Sequence, residues 1–115
     1  MAAYAFFVPI VPGQEEADRQ FVAEASGPRR AEFEASRRRH GIQAERVWHQ
    51  STPQGSFAVV YLEADDPGQA FAGLATSTDP FDVWFREQVL AVHGFDMSQP
   101  PPGPLNEQVI DWSDA

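Results

Sequence analysis

The sequence predicts an α+β fold with one antiparallel sheet and helices on one of its sides. Two observations carry this. Segments dense in aromatic and β-branched residues trade places with segments whose apolar residues recur at helical spacing. The breakers Pro12-Gly13, Gly27-Pro28, Pro53-Gln54-Gly55, Asp66-Pro67 and Asp79-Pro80 fall between them. The resulting order is β-α-β-β-α(α)-β. A chain of 115 residues with 43% apolar content gives one domain spanning 1–115, able to bury its own core.

The first strand is Tyr4 to Val11, ended by Pro12-Gly13. Residues 14–40 then read as helical. Ala17, Phe21, Val22 and Ala25 recur at helical spacing, and Glu15, Glu16 and Asp18 suit the positive end of the dipole in the first turn. Pro28 lacks an N–H, so the helix kinks there or restarts with Pro28 at its first position. Its second half is anchored by Phe33. It stops at Arg37-Arg38-Arg39-His40-Gly41, cations in the last turn followed by glycine.

Residues 42–52 and 56–63 form an antiparallel hairpin about the Pro53-Gln54-Gly55 turn. A turn centred near Pro53-Gln54 sets Trp48 opposite Val59, His49 opposite Ala58 and Arg46 opposite Tyr61. Asp66 then caps a short helix with Pro67 at its first position. Asp79-Pro80 repeats the signal for a helix over 80–93, with Asp82 at its third position and Gly94 as its stop. That helix carries Phe81, Trp84, Phe85, Val89 and Val92 on one face, expected to press on the sheet. Residues 98–104 hold four prolines and one glycine, an extended connector. Leu105 to Trp112 is the expected last strand.

This order is the ferredoxin-like pattern. A sheet with one wet face alternates apolar and polar residues, and these strands do not. Tyr4, Phe6, Val8 and Ile10 oppose Ala5, Phe7 and Val11; Phe57, Val59 and Tyr61 oppose Ala58, Val60 and Leu62. One helical layer covers one face, so the other calls for a second subunit, and a homodimer is expected. Strand order, chain size and two-faced strands together resemble the dimeric α/β-barrel superfamily, over nearly the whole length as architecture. Ser36-Arg-Arg-Arg-His-Gly-Ile42, Asp79-Pro-Phe-Asp-Val-Trp-Phe85 and His93-Gly-Phe-Asp96 are most similar to an uncharacterised bacterial branch of it. The resemblance implies the fold and the dimer and brings no established activity. The Asn/Trp/His set of its haem-degrading members has no counterpart here.

Composition narrows the chemistry. The formal charge of −9 repels phosphate backbones, which argues against nucleic acid as a partner. There is no Cys, hence no disulfide framework, zinc ribbon or thiol nucleophile. All basic residues are Arg, which removes Schiff-base and P-loop lysines. The apolar opening lacks a basic leader and an A-x-A-like end, and no run reaches 18 apolar residues, so a cytoplasmic protein away from membranes is expected. The Arg-only, Ala-rich usage points to a GC-rich bacterial genome. No histidine spacing suits a metal, and no glycine motif suits a dinucleotide, so no cofactor is expected.

The candidate site residues follow from side-chain chemistry. His is the side chain that titrates near neutral pH, which makes His93 and His49 the candidate general bases. His93 ends the apolar stripe of the 80–93 helix, where Asp96 is expected to reach back to it. His40, after three arginines, reads as a solvated cap. Arg29, Arg30 and Arg37–Arg39 read as a salt-bridged solvated face among Glu32 and Glu34. Arg46 either lines a cavity as an anion-binding cation or stacks on Tyr61. Trp48, Tyr61, Trp84 and Phe85 are the candidate walls for a small apolar or aromatic ligand. Two function classes follow. One is a small-molecule-binding or interaction domain. The alternative is a cofactor-independent monooxygenase or isomerase acting on an aromatic or polyketide-like compound.

Overall fold

The structure is a computed structural model and describes residues 2–99 and 106–114. Its elements are β1 (Ala2–Pro9), α1 (Glu15–Ser26), α2 (Arg30–Arg39), β2 (Ile42–Thr52), β3 (Gly55–Ala64), α3 (Pro67–Thr76) and α4 (Pro80–His93). The three strands form one antiparallel sheet in the order β1-β3-β2. The hairpin register is the expected one, with Trp48 opposite Val59, His49 opposite Ala58 and Arg46 opposite Tyr61. On the other side of β3, Phe7 pairs with Val59 and Ala5 with Tyr61.

The α+β class and most element boundaries follow the local chemistry. Asp66 caps α3 by accepting from the Gln69 N–H at 3.1 Å, and Asp79 caps α4 by accepting from Phe81 at 2.9 Å. A proline stands at the start of each of these helices. Gly94 ends α4 at φ 66°, a left-handed conformation that its missing Cβ permits.

Three expectations need correction. The long helix breaks in two at Gly27, and α2 begins at Arg30 rather than at Pro28. The Arg29 and Arg30 N–H groups instead bond the Glu24 and Gly27 carbonyls, which makes 27–29 a tight connection. Residues 106–112 form no strand. Val109, Ile110 and Trp112 are 82%, 81% and 78% exposed, so β propensity there finds no buried surface to pack on. The connector at 100–104 and Leu105 lie outside the described residues.

The third correction concerns α4, which packs on helices rather than on the sheet. Phe21, Ala25 and Val92 form a buried cluster joined by Ala17, Phe33, Trp84, Phe85 and Val89. The Phe21 ring lies 5.5 Å from Trp84 and 5.0 Å from Phe85. The sheet is covered by α3 instead, through Ile42, Leu62, Ala64, Ala70 and Leu74, with Tyr4, Phe6 and Phe71 against them. Two small cores therefore meet on one side of the sheet. Among the described residues no helix covers the opposite side, where Phe7 is 67% and Trp48 54% exposed.

Candidate functional site

The helical period of α1 places a carboxylate on its inward stripe. Asp18, Phe21 and Ala25 are the buried residues of that helix, and Asp18 is 1% exposed. Strand alternation turns His49 to the helix-covered side of the sheet and Trp48 to the other, and the last turn of α4 brings in His93. The His49 Nε2 lies 2.8 Å from Asp18 Oδ2, and the His93 Nε2 lies 3.4 Å from Oδ1. His93 is oriented by its other nitrogen, because Nδ1 donates to the Pro9 carbonyl at 2.9 Å. A carbonyl only accepts, which fixes the proton on Nδ1. Asp18 Oδ2 has no aligned hydrogen-bond donor despite the nearness of His49. The two imidazoles thus bracket one buried carboxylate, each at a different oxygen.

A second buried carboxylate is built differently. Asp82 sits at the third position of α4 and turns inward, 1% exposed. It accepts from Ser36 Oγ at 2.5 Å, Ser77 Oγ at 2.6 Å, His40 Nε2 at 2.9 Å and Arg39 at 3.2 Å. Burial alone pushes its carboxyl up, but the donors from His40, Ser36, Ser77 and Arg39 together hold it well below the ordinary carboxylate range. His40 is therefore a partly buried partner, its side chain 10% exposed, and not the solvated cap expected. Arg37 is also buried. It donates to Glu45 at 2.9 Å and lies 4.4 Å from both the Phe33 and Phe85 rings. Arg29 and Arg30 do form the expected helical pairs, with Glu32 at 3.1 Å and Glu34 at 2.9 Å.

The expected site residues fall in three places. His49 and His93 meet at Asp18. Trp84 and Phe85 lie in the helical core, with the Arg29 guanidinium 4.2 Å over the Trp84 ring. Arg46, Trp48 and Tyr61 lie on the uncovered side of the sheet. There Arg46 is 5.9 Å from the Tyr61 ring and 3.9 Å from Glu63. The Tyr61 hydroxyl donates to Glu63 at 2.7 Å, which pushes its pKa up from the ordinary value. Asp96 does not reach His93. It accepts from the Ser98 hydroxyl and N–H, and those bonds lower its pKa.

The residue that sequence reasoning missed is Asp18. Its signal was available: three and seven residues before Phe21 and Ala25 on one stripe, an acid shares the apolar face. The helix dipole accounts equally well for an acid in the first turn, so the stripe does not single it out. Among the described residues no group of three His, Cys, Asp or Glu side chains is arranged to hold a metal. A shallow groove of about 410 Å³ lies on the uncovered sheet side, bordered by Ala5, Phe7, Gln50, Phe57, Val59 and Asn106. No helix of the described residues is long and apolar enough to cross a membrane. Comparison with protein-family models, curated proteins and solved structures gave no significant match.

Proposed function

We propose that this chain is a homodimeric small-molecule-binding domain of the dimeric α/β-barrel type, assembled through the uncovered side of its sheet. The observation that carries this reading is the apolar row Phe7–Val59–Trp48 across all three strands. Its outer members are 67% and 54% exposed in the single chain. Phe57 stacks edge-on against Phe7 at 5.6 Å and extends the row. Contiguous exposed apolar side chains favour an interaction surface. A two-fold axis would lay one row on another, and the groove beside Phe7 and Phe57 would become an enclosed apolar chamber. Arg46 and Glu63, farther along the same side of the sheet, supply both signs of charge for a self-complementary rim.

Light scattering coupled to size exclusion tests the assembly, with a mass of twice the chain expected at micromolar concentration. Trp48→Asp puts a charge at the exposed β2 end of the row without touching either core and is expected to give a monomer that still melts cooperatively. A wild-type monomer would overturn the reading. Ligand capture is read separately, as an increase in fluorescence of an apolar dye on the dimer that Phe57→Asp abolishes.

A further inference from the structure

We propose that Asp18 and His49 form an acid–base pair that removes a proton from a neutral carbon acid, bound against Val22 and Val47. This goes beyond the binding reading and does not depend on the dimer, because His49 and the Phe7–Val59–Trp48 row lie on opposite sides of the sheet.

The contrast between the two buried carboxylates is the starting point. Asp82 is saturated by four side-chain donors and has nothing left to offer a ligand. Asp18 is as deeply buried, yet its Oδ2 has no aligned donor and its neighbours are two imidazoles. A purely structural carboxylate at that depth is normally satisfied. One that waits for an imidazole to swing into line is what an acid–base pair looks like before its ligand arrives. The imidazole side chain of His49 is 31% exposed while that of Asp18 is 1% exposed, so the ring stands between a buried anion and solvent. Nε2 faces the carboxylate, which leaves Nδ1 as the nitrogen free to accept a proton. The His93 Nε2 lies 3.4 Å from the other carboxylate oxygen, and its Nδ1 is tied to the Pro9 carbonyl.

The surroundings indicate the ligand class. Val22 lies one helical turn beyond Asp18 and is 37% exposed; Val47 lies two residues before His49 on the same strand face and is 45% exposed. Both elements therefore offer bare apolar surface next to their member of the pair. A buried carboxylate in a chain of charge −9 disfavours an anionic substrate. The fit is a small neutral molecule with an apolar body and a C–H bond acidified by an adjacent carbonyl. In the step, the C–H bond breaks and an N–H bond forms at His49 Nδ1. The electron pair stays on the substrate as an enolate, and the Asp18 carboxylate stabilises the imidazolium. Return of the proton to the far end of the enolate system completes an isomerisation with no oxidant or cofactor.

The test uses 5-nitrobenzisoxazole, a neutral aromatic carbon acid. Its C–H bond breaks as its N–O bond opens to a yellow cyano-nitrophenolate, so any positioned base is read by colour. The full chain is expected to exceed an equal concentration of free imidazole by at least about 100-fold, in line with general-base catalysis. His49→Gln, at a half-exposed position, is expected to abolish that excess while keeping the wild-type melting curve. Asp18→Asn, read only if its melt is cooperative, is expected to lower kcat at least tenfold with KM unchanged, as a positioning residue requires. Wild-type rates no higher than free imidazole, or a His49→Gln protein as fast as wild type, would overturn the proposal.

Discussion

At the scale of single residues, Asp82 and Gly73 are two halves of one constraint. A Cβ built on Gly73 would stand 2.6 Å from the His40 Nδ1, and that ring is held from its other side by Asp82. Helix propensity alone favours Ala over Gly inside α3 by about 1 kcal/mol. The clash reverses the sign, because the imidazole cannot move without leaving the carboxylate. Gly73→Ala is expected to lower the melting temperature, and a rise would show that the ring is free to shift. Asp82 also sets a pH dependence. Its folded carboxyl is held below the range it has unfolded, so its contribution is complete above that range and is lost as pH falls below roughly pH 4. Acid denaturation followed by circular dichroism is therefore expected to be steeper in the wild type than in Asp82→Asn.

At the scale of elements, the two Asp-Pro helix starts behave as local chemistry dictates. Asp79 accepts from the Phe81 N–H, and its Oδ1 also lies 3.3 Å from Arg39. Asp79→Ala is expected to cost about 1 kcal/mol, the usual loss for a cap. Asp82 cannot stand in for it, since its oxygens are directed into the core. Urea unfolding of this variant at the wild-type midpoint would place the effective start of α4 elsewhere. The residues 106–112 make the opposite point about elements. Their composition suits a strand, and Asn106 does donate to the Ala5 carbonyl. A strand also needs a face to bury and a ladder to complete, and a single hydrogen bond supplies neither.

At the scale of the molecule, the uncovered sheet side links stability to assembly. If two copies share it, the folded dimer is favoured over unfolded chains by mass action. The melting temperature of the wild type is then expected to rise with protein concentration, while that of Trp48→Asp stays constant. Differential scanning calorimetry over a tenfold concentration range reads the difference. Equal slopes for the two proteins would detach the Phe7–Val59–Trp48 row from assembly. The same experiment at higher salt is expected to strengthen association, because screening relieves repulsion between two chains of charge −9.

The sequence by itself determined what depends on neighbours a few residues apart. The hairpin register about Pro53-Gln54, the caps at Asp66 and Asp79, the stop at Gly94 and the two-faced character of β1 and β3 all follow from short-range geometry and side-chain alternation. It also put His49 on the face away from Trp48. Only the tertiary structure decided which distant groups meet. The 80–93 stripe looks the same in sequence whether it covers a sheet or other helices, and the break at Gly27 lets α1 and α2 receive it. That choice brings His93 to Asp18 instead of Asp96, and His40 to Asp82 instead of solvent. Burial and pairing of charges are properties of the space between elements. No local pattern reports that space, and so the carboxylates at the centre of both clusters were visible in the sequence only as helix-terminal acids.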